Sequence, residues 1–518
     1  MKRINKTYQL RLGSILSYLQ IFVGIAVNLL FTPLMIRSLG QNEYGLYNTI
    51  ASTISVISLL NLGFSSGYIK FFAVYKKNNE TEKIAKLNGM FLIIFSVLGL
   101  IAFACGIFLV FNLRLVFNTG LTNSEYSIAR VLMLLLSVNL AISFPMTVFT
   151  CIISANERFV FLKTIGIIKT VLGPMISIPL LLLGLGSIPM VLVTVSVSVL
   201  TDTLYIYYVI RKLHNKFVFR RFEKRVVRDL FVFTFFIAVN LIVDQINWNI
   251  DNILLARFKG TTATAIYSVG YALFTYYQLF SMSISGVFTP KIHDIIVQNK
   301  EDKHALSGEI SDLFIKVGRI QFAVLGLLLT GIVFFGKDFI QKIWAGEEYL
   351  ESYYVIVILA SSATIALIQN TGIEVQRALN KHKFRSVIYL IMASLNLILS
   401  IFLCQRFGPV GSTIGTAISL LLANGLIMNI YYQKKCFINI KLFWKNILSM
   451  SKFLIIPIIF GIIYFNLFSF SIRSFVVGII AYSIIYVASY ILFGMNNYEK
   501  NLYLSIIKAV KKGDYENK

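Results

Sequence analysis

Fourteen apolar segments, each of about 20 residues or more, follow one another along the chain. They run roughly over 14–37, 43–72, 87–112, 126–153, 164–184, 188–210, 229–256, 262–290, 313–335, 350–379, 386–405, 410–431, 453–470 and 474–494. A helix of about 20 apolar residues is long enough to cross the hydrocarbon of a bilayer. The pattern therefore predicts an all-α integral membrane protein of about 14 transmembrane helices. Pro33 stands near the outer end of span 1 and is expected to kink or end that helix there.

A polar corner interrupts the first pair of spans, Arg37-Ser-Leu-Gly40-Gln-Asn-Glu-Tyr-Gly-Leu-Tyr47. It returns 220 positions later as Arg257-Phe-Lys-Gly260-Thr-Thr-Ala-Thr-Ala-Ile-Tyr267, with Arg, Gly and Tyr at the same offsets. The helices leading in also match, with Gln20, Gly24 and Asn28 opposite Asn240, Asp244 and Trp248. This predicts an internal repeat: two six-helix bundles facing each other, plus two C-terminal helices. The expected divisions are an N-terminal bundle over 1–210, a basic linker over 211–228 and a second bundle over 229–432. An interfacial segment over 433–452, helices 13 and 14 over 453–494 and a cytoplasmic tail over 495–518 complete the chain. Phe217, Phe219 and Phe222 in the linker suggest that it lies on the membrane surface. In the interfacial segment, Phe437, Ile440, Trp444 and Ile447 share one face, with Lys441 and Lys445 off it.

Composition agrees with a membrane class: 57% of residues are hydrophobic and 14% charged. The formal charge of +25 would suit a nucleic-acid binder until it is mapped onto the spans. With the N-terminus inside, 37 Lys and Arg fall on inner segments and eight on outer loops, while Lys70, Arg130 and Lys169 lie within spans. That asymmetry predicts both termini in the cytoplasm, and the basic excess becomes a signal of topology and of anionic membrane lipids. No nucleic-acid partner is indicated. The N-terminal stretch precedes an apolar run too long for a signal peptide, so it is expected to be retained as the first span. Three of the four cysteines, Cys105, Cys151 and Cys404, lie inside apolar segments, and with Cys436 they show no paired spacing.

Candidate chemistry begins with absences. There is no phosphate-binding Gly-rich loop ending in Lys-Ser/Thr, no metal-ligand spacing among the four histidines, and no Ser/His/Asp set. Neither a cofactor nor a metal is implied, and an enzyme is not expected. What remains are polar groups inside spans, which are costly there and default to function. Asn240, Asp244, Asn247 and Asp251 step by 4, 3 and 4 residues, which places them on one face of span 7. Such a face lines a cavity or a polar seam, and the two acids are candidates for ion or proton coupling. Gln20 and Asn28 form a weaker counterpart on span 1. Tyr267, Tyr271, Thr275 and Gln278 share a face of span 8; they suit sugar contact, or else packing. Lys70 follows the polar run Asn61 to Ser66, where it either snorkels to the inner interface or meets an anionic substrate. Lys169 and Arg130 pose the same choice nearer their span ends. Glu374 and Arg377 in span 10 are i, i+3 partners that either neutralise each other or serve coupling and binding.

The corner Leu39-Gly-x-x-x-Tyr-Gly-Leu-Tyr47, the span 2 ending Asn61-Leu-Gly-Phe-Ser-Ser-Gly-Tyr-Ile-Lys70, and Gln245-Ile-Asn-Trp-Asn-Ile-Asp251 in span 7 resemble the Wzx-type polysaccharide flippases. These form the polysaccharide transport branch, O-antigen flippases included, of the multidrug/oligosaccharidyl-lipid/polysaccharide exporter superfamily. The resemblance covers the whole chain. It implies a V-shaped pair of bundles that moves undecaprenyl-diphosphate-linked oligosaccharide units from the inner to the outer leaflet of a bacterial plasma membrane. Its expected partners are the lipid-linked oligosaccharide, membrane lipids, H+ or Na+ as coupling ion, and other polysaccharide assembly proteins. Within the superfamily, a small-molecule exporter would share the fold but typically has twelve spans. The sister lipid II flippases carry a basic residue in span 1, whereas this chain has none between Arg11 and Arg37. A polysaccharide polymerase would need a long outer catalytic loop, and the outer connections here are short.

Overall fold

The computed structural model describes residues 6–117, 121–220, 224–299 and 301–501. Every element among them is helical. In chain order they are α1 (Lys6–Ile57), α2 (Phe64–Lys77), α3 (Thr81–Phe111), α4 (Asn123–Ala155), α5 (Phe159–Leu182), α6 (Ser187–Tyr207), α7 (Lys224–Trp248), α8 (Ile250–Phe258) and α9 (Thr261–Val287). There follow α10 (Thr289–Gln298), α11 (Lys303–Asp338), α12 (Leu350–Leu367), α13 (Thr371–Ala378), α14 (His382–Leu420), α15 (Asn429–Lys435), α16 (Ile440–Met450), α17 (Ile455–Leu467) and α18 (Ile472–Ser489). Among the described residues, ten helical segments are long and apolar enough to cross a membrane. Two of these, Leu12–Lys77 and Lys383–Lys435, each bend at a glycine, Gly40 and Gly408. The chain is a multi-pass membrane protein.

It divides into two compact units, Met1–Ser268 with Ala393–Gly415, and Val269–Met392 with Thr416–Lys518. In the first unit, α1 runs through Pro33 and turns at Gly40 instead. Proline removes one backbone hydrogen bond, a loss a long helix bridges; a residue at φ 72°, ψ 172° leaves the helix altogether. No atom lies within 4 Å of where a side chain on Gly40 would begin, so glycine is there for its backbone and not for space. Gly260, at the same offset in the second corner, also has positive φ, 90°. Span 2 breaks once more, through a 3-10 turn at Ser58–Asn61 and then left-handed Leu62 (φ 49°) and Gly63 (φ 72°). Glu43, just past the first corner, accepts a hydrogen bond from the backbone N–H of Ser187 at 2.6 Å and so holds the start of α6.

The linker is not a free tether over its first half. The N–H of Val218 donates to the carbonyl of Ala85 at 2.9 Å, and Asn88 Nδ2 to the carbonyl of Lys216 at 3.0 Å. Tyr68 orients that amide by donating to Asn88 Oδ1 at 2.6 Å. Gly89 lets the segment approach; a methyl there would sit 2.2 Å from the Val218 carbonyl oxygen. Phe217 packs on Phe149, Phe219 is exposed, and Phe222 lies outside the described residues.

In the second unit, α11 is the central element. Helices α12, α16, α17 and α18 all pack on it. On α16, Ile440, Phe443, Ile447 and Met450 are buried, with Phe443 against Phe314 at 4.8 Å between ring centres and beside Gly318, which leaves room for the ring. Trp444 is half-buried, and its indole N–H donates to Asn429 at 3.3 Å. An aromatic cluster of Phe335, Phe453, Phe475, Tyr482 and Tyr486 joins α11 to α18 and to the 3-10 turn before α17, with Phe460 and Tyr464 of α17 packed against it.

The docking of the linker is open to test by limited trypsin digestion of the full protein in detergent. Asn88→Ala removes the bond to Lys216, and Gly89→Val drives the segment off α3. Both variants are expected to be cleaved several-fold faster at Lys212, Lys216 and Arg220. Wild-type cleavage rates would mean that these contacts do not hold the linker.

Candidate functional site

The first unit gathers a buried polar seam where span 7 changes helix. Helix α7 ends at Trp248, Asn249 leaves helical geometry (φ −122°, ψ −22°), and α8 begins at Ile250. The predicted stripe is therefore split. Asp244 is on α7 and exposed, Asn247 is half-buried, and Asp251 lies fully buried in the first turn of α8. The side chain of Asn240 lies outside the described residues.

Asp251 is held at both oxygens. Tyr267 Oη donates to Oδ2 at 3.0 Å, and Ser412 Oγ to Oδ1 at 2.5 Å. Two charge-assisted bonds of this kind are what allow a carboxylate to stay out of water. Its neighbour Asn252 donates to Ser52 Oγ at 2.8 Å and accepts from Ser268 at 3.1 Å. Asn247 accepts from Asn396 Nδ2 at 3.3 Å; Asn396 in turn accepts from Ser400, which also donates to the Ser412 carbonyl. Ser52, Asn396 and Ser412 escaped the sequence reading. A lone amide in the apolar run 386–405 was a usable signal for Asn396. Serines are too common in membrane helices to have pointed to the other two.

The two repeated corners meet in this unit. Gly45 packs against the backbone of Thr261, where a methyl would sit 1.9 Å from the carbonyl oxygen. Around it run three polar pairs, Asn42 with Thr262 at 2.7 Å, Ser52 with Asn252 at 2.8 Å and Ser55 with Gln245 at 3.3 Å. The first strand of contacts ascends, 42 to 55, while the second descends, 262 to 245, so the two segments run antiparallel as a polar zipper.

Of the other expected site residues, Tyr267 is bonded into this seam through Asp251. Gln20 is half-buried against Gly166, where a methyl would touch its amide at 2.6 Å. Asn28 is exposed on α1, Lys70 on α2, Arg130 on α4 and Lys169 on α5. Lys70 Nζ lies 6.0 Å from the ring centre of Phe71. Tyr267 is fully buried, with its hydroxyl on Asp251; Tyr271 and Gln278 are half-buried. In the second unit, Arg377 pairs with Glu374 at 2.6 Å, with the arginine side chain 63% exposed and the glutamate 21%. Among the described residues, no three His, Cys, Asp or Glu come together to hold a metal ion.

An all-helical, multi-pass chain with a buried, hydrogen-bonded acid at a helix break has the build of a membrane transporter. The chain belongs to the polysaccharide biosynthesis protein family, whose model matches residues 11–296. The resemblance to the Wzx-type polysaccharide flippases is thereby borne out. A putative O-antigen transporter of Shigella flexneri is 21% identical over 408 residues, 77% of this chain and 92% of its own. A probable low-salt glycan biosynthesis flippase of Haloferax volcanii is 24% identical over 241 residues, 45% of this chain and 48% of its own. These relatives are named as transporters and flippases, not enzymes. Among solved structures, lipid II flippase MurJ in an inward closed conformation aligns with TM-score 0.69 at 18% identity, covering 93% of this chain and 98% of its own. A multidrug resistance MATE family transporter, inward-facing, aligns with TM-score 0.62 at 14% identity over 81% of this chain and 99% of its own. At these identities the likeness is one of fold.

Removing a hydroxyl that donates to the buried Asp251 carboxyl costs a buried hydrogen bond, a loss of about 1–3 kcal/mol. Tyr267→Phe and Ser412→Ala are each expected to lower the melting temperature of the purified protein, and together by more than either alone. Unchanged melting in both single variants would show that the acid does not depend on these hydroxyls.

Proposed function

We propose that the protein is a flippase for undecaprenyl-diphosphate-linked oligosaccharide repeat units, moving them from the inner to the outer leaflet of a bacterial plasma membrane for surface polysaccharide synthesis. The reading takes fourteen spans, two six-span bundles related by the repeat, a final helix pair and both termini in the cytoplasm. Its mechanism is alternating access. The family match and the relatives' names support the cargo class.

The observation that carries the mechanism is the polar zipper at the corners. Hydroxyl and amide pairs around a glycine have two acceptable states, paired with each other or hydrated, so such a contact opens and closes at small net free energy. A contact of interlocked apolar side chains lacks the second state. The sequence carries no phosphate-binding Gly-rich loop ending in Lys-Ser/Thr, and an ion gradient is the proposed drive. Asp251, a buried acid at the helix break, is the proposed H+ or Na+ acceptor, with Asp244, Asn240 and Asn247 on the approach and Glu374 as a second candidate. A diphosphate head needs cations along its path; Lys70, Lys169, Arg130 and Arg377 are proposed for that role. Gln20, Asn28, Tyr271 and Gln278 are proposed to meet the sugars.

Two measurements test this reading, both scored as surface polysaccharide in cells at matched protein levels. Asn42→Cys with Thr262→Cys is expected to block export when oxidised and release it on reduction. Export unaffected by a formed cross-link would sink the gating role of the zipper. For substrate contact, Lys70→Arg is expected to keep more export than Lys70→Gln, because charge is the requirement. Normal export by Lys70→Gln would remove Lys70 from the path and leave Lys169, Arg130 and Arg377.

A further inference from the structure

A second buried charge lies in the other unit, outside the polar seam. Arg319 on α11 is 5% exposed, and Glu499, just beyond span 14, is 4% exposed. Arg319 Nε donates to Glu499 Oε1 at 2.7 Å, and Nη2 to Oε2 at 2.9 Å, a two-pronged pair. Nη2 also donates to the Gly494 carbonyl at 2.7 Å, and Nη1 to the Asn446 carbonyl of α16 at 3.3 Å. Four of the five guanidinium N–H donors are thus placed on three separate elements.

The receiving turn is held by its own bonds. Glu499 Oε2 accepts the backbone N–H of Asn496 at 2.9 Å, and Asn496 Oδ1 accepts that of Glu499 at 2.9 Å. This reciprocal capping box restrains the carboxylate that faces Arg319. One turn back on α11, Lys316 Nζ sits 4.6 Å from the ring centre of Tyr498, the residue before Glu499. Further along the same helix, Tyr486 Oη of α18 donates to the Ala323 carbonyl at 2.8 Å. Where α11 ends, Lys342 pairs with Asp338 at 2.9 Å and lies 4.2 Å from the ring centre of Phe470, in the connection between α17 and α18. The last helix pair is therefore fastened to α11 at both ends and in between.

We propose that Arg319 is an intramolecular docking site for the Asn496–Glu499 turn, and that this pair locks α11, α16 and the end of span 14 into one block. A buried ion pair is weak evidence for stability, since apolar residues of the same volume do as well. What it adds is intolerance of separation: pulling the turn away strands two charges in a medium of low dielectric. Elements joined this way do not move apart during a working cycle, in contrast to elements joined by hydroxyl and amide pairs. The spans after the second bundle are then an integral part of the moving body and not a removable appendix. The inference concerns the fold and stands whatever the cargo.

Hydrogen–deuterium exchange of the full chain in detergent tests it. Arg319→Met and Glu499→Gln are each expected to raise exchange about tenfold or more in α16 and in 490–499, with α3 unchanged as internal control. Wild-type protection of α16 and 490–499 in either single variant overturns the lock. If Arg319→Met does not accumulate, the double variant Arg319→Met with Glu499→Met decides. Better accumulation than the single variant means that the two residues act as a unit, and equally poor accumulation overturns the proposal.

Discussion

A polar group inside hydrocarbon must carry its partner with it. No water is there to replace a broken bond, and an unpaired amide, hydroxyl or charge costs several kcal/mol. That rule accounts for the placement of most informative residues in this chain. Asp251 is inside because Tyr267 and Ser412 donate to it. Asn252 is inside because Ser52 and Ser268 take its two ends. Arg319 is inside because Glu499 and two carbonyls surround it. The helices supply the length to cross the membrane, but the polar pairs decide which helix faces touch.

The same rule sorts contacts by what they permit. Hydroxyl and amide pairs separate at modest net free energy once water reaches them, about 1 kcal/mol each. A two-pronged arginine–glutamate pair in a low dielectric does not separate so readily. The first kind lines the corner zipper around Gly45, and the second fastens α11 to the turn after span 14. Hydroxyl and amide pairs also occur in the second unit, as between Tyr277 and Thr364 and between Gln321 and Ser281, so the proposed assignment of motion to the zipper and of rigidity to the Arg319–Glu499 pair rests on the kind of contact and not on the unit that holds it.

The apolar pattern carried the fold class, because a run of about 20 apolar residues has few structures open to it. It also located the corner glycines, since Gly40 and Gly260 repeat at one offset and both adopt positive φ. It misjudged where helices bend. Pro33 is a strong local signal, yet α1 passes through it; Leu62 and Asn249 carry no such signal, yet the chain leaves α-helix at both. A break of that kind is decided by the neighbours that receive the freed backbone groups, and those lie far away in sequence. The candidate site was legible to the extent that its polar residues are acidic or amide, as with Asp251 and Asn247. Its hydroxyl partners were not, and neither was the pairing of Arg319 with Glu499, 180 residues apart. Spacing along one helix reveals a face but never what lies against it.

Fold likeness at 18% identity sets a limit on what the helical frame itself encodes. A frame shared with proteins whose names give lipid II and multidrug cargo cannot by its shape alone specify what passes through. Discrimination has to reside in the few charged and polar side chains that differ along a common path. Span 1 is an example, for it offers Gln20 and Asn28 but no cation between Arg11 and Arg37. The cations of the first unit that sit in apolar segments are instead Lys70, Arg130 and Lys169, all exposed and on three other helices. Moving a positive charge from one helix to another can leave helix lengths and turns as they are while shifting where an anionic head group, the proposed cargo, would be held. Selection can therefore change cargo without changing fold, which is why these positions, and not the well-packed core, are where members of such a family are expected to diverge in chemistry.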